Sequence, residues 1–236
     1  MIWSWIPRNS ALILSALGEH IVLSVVPVLL GLVLAVPLGW LAHRSTVARA
    51  ILIPTASVLY TVPSLVLFVA LPTVLGTTIL NPVNVVVALA IYTVALLVRM
   101  VADALAAVPA MVIAAATAMG FRPTRRFVEV EFPLAVPVLI TGLRVATVSN
   151  ISLVSIGALV GVGGLGQLFT VGFNRENPTE VVVGIVLSLL LALLADALLI
   201  GLGKVATPWN NTKNTKTTTM PTNTGSRAGA AAGSPA

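Results

Sequence analysis

The sequence predicts an all-α integral membrane protein with five membrane-spanning helices, six being the alternative count. Of its 236 residues, 58% are hydrophobic and only 8% are charged. Soluble domains carry about 25% charged residues, so this chain cannot cover itself with a water-facing surface. Apolar runs of about 20 residues, the length that a helix needs to cross a bilayer, recur along it. Helices satisfy every backbone hydrogen bond internally, as hydrocarbon requires.

Five apolar runs account for the predicted spans. They cover residues 21–41, 51–75, 83–101, 134–160 and 181–202. Residues 9–19 form either a short helix lying in the opposite interface or the beginning of a longer first span. The predicted division is an N-terminal interfacial segment (1–19), a transmembrane domain (20–206) and a tail (207–236). The tail is rich in Thr, Asn, Gly and Ala, so we expect it to be disordered.

The basic residues indicate the orientation. The chain has 13 Lys and Arg against 7 Asp and Glu, a formal charge of +6, and the basic residues stand at the ends of apolar runs. That placement is typical of the positive-inside pattern and not of a nucleic-acid surface. Five spans with the N-terminus outside and the C-terminus inside place ten basic residues in the cytoplasm and leave Arg8 and Arg175 outside.

Composition argues against most enzyme classes. The chain has no Cys, which excludes disulfides, thiol catalysis and thiolate metal sites. It has no P-loop of the GxxxxGK[ST] type. Its two histidines, His20 and His43, fall at opposite ends of the first span, too far apart for one metal site or triad. No catalytic residue and no metal ligand is therefore predicted.

The polar segment 109–133 separates the third and fourth spans. Pro109 suits a first helical turn, and residues 110–119 are strong helix formers. Gly120 supplies the left-handed residue that ends such a helix. Thr124 is placed to cap a second short helix over 125–132, which Pro133 is expected to stop. The sequence thus predicts two short helices joined by a sharp turn, on the cytoplasmic side.

The spacing of small and apolar residues in this segment resembles the EAA loop of permease subunits from binding-protein-dependent ABC importers. The matching positions are Ala115, Ala116, Gly120, Val130, Phe132 and Pro133. Two positions depart from the family pattern: Ala114 replaces its leading Glu, and Phe132 replaces the Leu before Pro. The open alternative for the segment is an ordinary amphipathic helix in the interface.

Three further stretches are similar to the glycine betaine, carnitine and choline branch of that family. They are YTVPSLVLFVALP at 60–72, FPLAVPVLITGLRVATV at 132–148 and GALVGVGGLGQL at 157–168. The resemblance implies the ABC importer permease fold, in the cytoplasmic membrane of a prokaryote. It also implies uptake of compatible solutes such as glycine betaine, choline or carnitine. A permease for another small solute such as an amino acid, or a stand-alone channel or scaffold, is the alternative.

The same resemblance implies the partners. A cytoplasmic ATPase subunit would bind ATP and Mg, so no cofactor is expected on this chain. A second permease subunit, identical or paralogous, and an extracytoplasmic solute-binding protein would complete the importer. The segment would then be a coupling helix that engages the ATPase. The residues implied in coupling are Ala115, Ala116, Gly120, Phe121, Arg122, Val130, Phe132 and Pro133.

Two other groups are candidates for the transport pathway. Tyr60, Thr61, Pro63 and Ser64 interrupt the second span, and such breaks in transporters often line a path; a simple packing kink is the alternative. At the outer end of the fourth span, glycines are candidates for an outer gate, the alternative being tight helix packing. These glycines are Gly161, Gly163, Gly164 and Gly166.

Charged residues within or near the spans are expected to pair. Arg99 and Asp103 lie four residues apart on one helix face, which predicts a local ion pair. Asp196 lies inside the last span, where an unpaired carboxylate is costly. Arg144 is its predicted partner.

Overall fold

The computed structural model describes residues 3–210, whose regular elements are all helices, with no strand among them. The α-helices in chain order are α1 (Trp5–Arg8), α2 (Ser10–Arg44), α3 (Thr46–Thr61), α4 (Ser64–Leu75), α5 (Pro82–Ala106), α6 (Ala110–Ala118), α7 (Pro123–Arg126), α8 (Phe132–Gly157), α9 (Gly166–Asn174) and α10 (Pro178–Ala206). A π-helical stretch, Phe127–Glu131, joins α7 to α8, and single 3₁₀ turns follow α8 and α10.

Four stretches, those of α2, α5, α8 and α10, are long and apolar enough to cross a membrane. Helices α3 and α4 pass the same test only as a pair, and the pair is bent by 104° at its break. The predicted five spans therefore correspond to four long helices and one bent pair. The bend falls at Val62 and Pro63, within the interruption that the sequence indicated.

Helix α2 continues through the predicted boundary at residue 19. Its 35 residues make a helix of about 52 Å at ~1.5 Å per residue, longer than the ~30 Å hydrocarbon core. Of the two alternatives for residues 9–19, the structure has the longer first helix. The interfacial setting of residues 1–19 stays a prediction, and residues 211–236 of the predicted tail lie outside the described part.

The core is centred on α5, which packs against α2, α3 and α8. Its side chains at Val85, Leu89 and Leu105 are completely buried. Helix α2 approaches closely through Gly39, where a Cβ atom would lie 2.5 Å from Cβ of Val101. Small residues at such crossings let helix backbones pack where no hydrophobic force drives association in lipid.

The predicted stop at Pro133 is wrong. The chain is helical without interruption from Pro123 to Gly157. The Phe132 N–H donates to the Phe127 carbonyl five residues earlier, as in a π-helix. This widened turn accommodates the Pro133 ring, which stands in the first turn of α8, where proline is tolerated. The second short helix is thus continuous with the fourth span.

Candidate coupling surface and outer loop

The coupling segment (residues 109–133) begins with the predicted helix, α6, followed by the predicted glycine turn. Gly120 has φ +84°, in the left-handed region. Its N–H donates to the Thr117 carbonyl at 3.0 Å, and the Phe121 N–H donates to the Ala116 carbonyl at 3.1 Å. These two bonds form a Schellman motif, which satisfies the last carbonyls of the helix. The turn prediction is confirmed.

Arg126 braces this turn through hydrogen bonds to residues before and after it. Its Nη1 donates to Thr117 Oγ1 at 2.8 Å, and its Nε donates to Glu131 Oε1 at 2.6 Å. Glu131 is only 3% exposed. One guanidinium therefore ties the end of α6 to the π-helical stretch, so the turn and the start of α8 are held as one unit. The sequence analysis did not foresee this brace.

Aromatic side chains pack the coupling segment against the long helices. The Phe127 ring lies 5.2 Å from the Trp40 ring of α2 and 5.7 Å from the Phe132 ring, centroid to centroid. Both phenylalanines pack against a buried cluster that includes Leu105 of α5 and Leu139 of α8. The segment thus contacts three of the long helices.

The residues predicted for coupling fall into two groups. Ala115, Gly120 and Arg122 are exposed, whereas Ala116 is 1% exposed and faces the protein. The remaining predicted residues are partly buried, and they are Phe121, Val130, Phe132 and Pro133. The contact surface available to a partner is therefore formed by α6 and the turn, and the later residues support it.

Two methionines and an arginine enlarge that surface. Met111 is 83% exposed and Met119 69% exposed, at the two ends of α6. Arg125 lies 5.0 Å from the centroid of the Phe121 ring and pairs with Glu129 at 2.8 Å. The hydrogen bond that Arg125 donates to Glu129 raises the pKa of Arg125 above its already high ordinary value. The surface is apolar along α6 and positively charged beside the turn.

The bend between α3 and α4 contains the residues predicted for the pathway. Tyr60, Thr61 and Pro63 are exposed and Ser64 is partly buried. The Tyr92 hydroxyl of α5 donates to the Val62 carbonyl, which the break frees. The rings of Tyr60 and Tyr92 meet edge to face, 5.9 Å apart. These contacts bring the pathway residues together at one bend of the backbone.

The outer loop (residues 161–166) contains the glycines predicted for a gate. Gly161 and Gly164 have positive φ angles, +81° and +85°. Only Gly161 is exposed, while Gly163, Gly164 and Gly166 are buried. The loop is thus packed inside the end of the bundle and does not form a projecting surface.

Two adjacent side chains of α2 hold the outer loop. The Gly164 N–H donates to Glu19 Oε2 at 3.1 Å, and the Leu165 N–H donates to His20 Nδ1 at 3.2 Å. His20 is completely buried, and its Nε2 donates to the Ile151 carbonyl of α8 at 3.0 Å. These roles fix the neutral tautomer that carries its proton on Nε2. The sequence analysis missed both residues; their only signal was a polar pair inside an apolar run.

The predicted ion pairs form. Arg144 of α8 pairs with Asp196 of α10 through two bonds, Nε to Oδ1 at 2.7 Å and Nη2 to Oδ2 at 2.8 Å. Asp103 lies 3.7 Å from Arg99, as predicted, but its closer partner is Arg49 of α3 at 2.9 Å. In residues 3–210, no group of three or more His, Asp or Glu side chains is placed to hold a metal ion.

Known protein chains share this fold. The permease of the MetNI methionine ABC transporter, in an inward-facing crystal form, superimposes with a TM-score of 0.75. The match covers 84% of this chain and 98% of that one at 23% identity. A crystal structure of an amino acid ABC transporter with histidines gives a TM-score of 0.69 at 18% identity, over 86% of this chain and 98% of that one. These likenesses concern the fold alone.

Sequence relatives come from several bacteria. The ergothioneine transport permease/ergothioneine binding protein EgtU of Helicobacter pylori is 39% identical over 165 residues, 70% of this chain and 29% of that protein. This chain therefore spans less than a third of EgtU. The osmoprotectant import permease protein OsmW of Salmonella typhimurium is 32% identical over 85% of this chain and 94% of that protein. The choline transport system permease protein OpuBB of Bacillus subtilis is 29% identical over 88% and 94%.

A family model covers most of the chain. The model described as "Binding-protein-dependent transport system inner membrane component" matches residues 27–203. This range contains the bend, the coupling segment, the outer loop and the Arg144–Asp196 pair. The chain belongs to this family of ABC transporter permeases.

Proposed function

We propose that the chain is the permease subunit of an ATP-driven importer that takes up compatible solutes, with glycine betaine, choline and carnitine as the candidates. The observation that carries the proposal is the braced coupling segment, an exposed helix and glycine turn fixed rigidly to α8. A rigid element exposed at one end of a membrane bundle is suited to receive motion from a soluble partner.

In this proposal the partner is a cytoplasmic ABC ATPase. It binds ATP and Mg, and this chain contributes neither a nucleotide site nor a catalytic residue. The apolar α6 face, with Met111 and Met119, would enter a groove of the ATPase by the helix-in-groove mode. Arg122 and Arg125 would meet acidic groups at the rim of that groove. A second permease subunit and an extracytoplasmic binding protein complete the assembly.

The orientation is part of the proposal. The coupling segment, with Arg122, Arg125 and Arg126, faces the cytoplasm, and the outer loop faces the other side. The chain lacks Cys, so an Arg122→Cys variant carries a single thiol. In right-side-out vesicles, a membrane-impermeant maleimide should label this variant only after permeabilisation. Labelling of intact vesicles would contradict the orientation, and the ATPase would then have nothing to bind.

The solute class follows from the relatives. OpuBB is a choline permease and OsmW an osmoprotectant permease by name, and this chain covers nearly the full length of both. Ergothioneine is the second candidate, because EgtU has the higher identity, 39%. All four named solutes carry a trimethylammonium group.

Reconstituted transport tests the proposal. The chain would be assembled in proteoliposomes with its proposed ATPase and binding-protein partners, and uptake of radiolabelled glycine betaine, choline, carnitine and ergothioneine would be measured. We expect uptake of at least one of them that requires both partners and internal ATP. Uptake without ATP would favour a stand-alone channel. ATP-driven uptake of an amino acid alone would support the permease role but contradict the proposed class of solute.

A further inference from the structure

A cavity of about 390 Å³ lies at the end of the bundle opposite the coupling segment. Its polar lining consists of Ser15 and Glu19 of α2, Gln167 of α9, Arg175 just after α9, and Glu180 of α10. The rest of its wall is apolar. Nothing in the proposed coupling mechanism uses this cavity, although two carboxylates line it.

Glu180 is the unusual member of the lining. It is only 2% exposed, and its Oε2 is buried without a hydrogen-bond partner in the described residues. Helix α9 covers it through Gly172, where a Cβ atom would lie 3.1 Å from Cβ of Glu180. A buried carboxylate without a partner is costly, so this position favours a positively charged occupant of the cavity.

The other charges of the cavity strengthen this preference. Glu19 is held in place, because its Oε2 accepts the hydrogen bond from the Gly164 N–H. Arg175 is exposed and forms no ion pair with either carboxylate in residues 3–210. Two carboxylates and one guanidinium give the lining a formal charge of −1.

The volume of the cavity indicates a small organic cation as its occupant and not a metal ion. Its volume falls in the range of about 300–1,000 Å³ that small-molecule sites occupy. It equals more than ten water volumes of ~30 Å³ each, far more than a dehydrated metal ion fills. No aromatic side chain lines it, so an ammonium group would be held by charge and not by an aromatic cage.

We infer that this cavity is a low-affinity binding site on the permease for the quaternary ammonium group of the transported solute, held by Glu19 and Glu180. The inference rests on the proposed function for the class of solute. Arg175 stands where it would bind the carboxylate of a zwitterionic solute such as glycine betaine. The site lies at the outer end of the bundle in the proposed orientation, where solute arrives before it crosses.

Binding of radiolabelled choline to the purified, detergent-solubilised full chain tests the site, at fixed ionic strength and without ATP. We expect saturable binding that unlabelled choline displaces. Its neutral analogue 3,3-dimethylbutan-1-ol should not displace it. Glu180→Gln should weaken binding at least ten-fold. The matched control is Glu176→Gln, which changes an exposed carboxylate in the connection just before α10 that does not line the cavity.

Three results would overturn the site: no saturable binding, displacement by the neutral analogue, or unchanged binding in Glu180→Gln. A thermal melt of each variant checks that it folds. If Glu180→Gln does not fold, Glu19→Gln decides by the same criterion. Choline binding is measured without partner proteins, so ATP-driven uptake with no binding here would reject this site alone. Absence of uptake would instead reject the proposed function.

Discussion

The coupling segment and the outer loop are both built around glycine turns that join helices. They differ in how exposed the turn is and in which side chains hold it. In the coupling segment, Gly120 and Arg122 are exposed, and the brace from Arg126 is local, because its partners Thr117 and Glu131 lie only nine and five residues away. In the outer loop, Gly164 is buried, and Glu19 and His20 hold the loop across 145 residues of chain. The turn in the coupling segment is therefore accessible to a partner protein. The outer loop is instead packed among the helices at the end of the bundle.

Gly120→Glu is expected to have the largest effect on transport. It places a large acidic side chain at an exposed residue with φ +84°, a conformation that side-chain-bearing residues adopt at a cost of about 1–2 kcal/mol. The added charge also stands beside the arginines of the proposed ATPase contact. ATP-driven uptake should fall to the level of vesicles without ATPase, while membrane insertion is retained. Unchanged co-purification with the ATPase would contradict the coupling role.

Arg126→Gln should reduce uptake without abolishing it. The variant leaves the buried Glu131 carboxylate without its partner, which costs about 1–3 kcal/mol. Because α6 then loses its link to the π-helical stretch, ATP hydrolysis by the assembled complex should continue with less solute moved per ATP. Arg99→Gln is the matched control, since Arg99 pairs with Asp103 only at the surface. Equal transport per ATP in both variants would show that the brace is not needed for coupling.

Gly163→Ala tests whether Glu19 holds the outer loop in place. A Cβ atom at this residue would overlap the Glu19 carboxylate, and the flexible Glu19 side chain would move away from the Gly164 N–H. We expect faster hydrogen exchange in residues 161–166, with exchange of the coupling segment unchanged. Gly18→Ala is the control, because nothing lies within 4 Å of a Cβ atom there. Unaltered exchange in the loop would show that Glu19 does not hold it.

The smallest effect is expected for the exposed pair of Arg125 and Glu129. Glu129 raises the pKa of Arg125, so this pair contributes fully below the ordinary arginine pKa and is lost only in strong alkali. Neutral pH lies far below that range, so Glu129→Gln should lower the thermal stability only slightly, as expected for a surface ion pair, and by the same amount throughout neutral pH. A difference that varies between pH 6 and pH 8 would contradict this reasoning.

Local chemistry explains which features could be predicted. The α6 helix and the turn at Gly120 follow from helix formers and one left-handed residue, both readable within a dozen positions. The end of the second short helix could not be read this way. Pro133 signals a stop in isolation, but the π-helical stretch before it changes the register of the hydrogen bonds.

Contacts between distant residues were partly predictable. Arg144 and Asp196 could be paired because each is costly alone inside an apolar span. The pairing of Glu19 and His20 with the outer loop could not be foreseen. Both accept bonds from backbone N–H groups, and a sequence carries no mark of which backbone groups lack partners.

The 104° bend between α3 and α4 has a consequence for what surrounds the protein. Helix α3 has 16 residues and rises about 24 Å, less than the ~30 Å thickness of the hydrocarbon. The bend therefore sits at membrane depth, where irregular backbone is tolerated only against protein or water. Tyr92 satisfies the Val62 carbonyl, but Tyr60 and Thr61 remain uncovered on this subunit. We therefore expect that side of the bend to face an aqueous lumen or a neighbouring subunit and not the acyl chains.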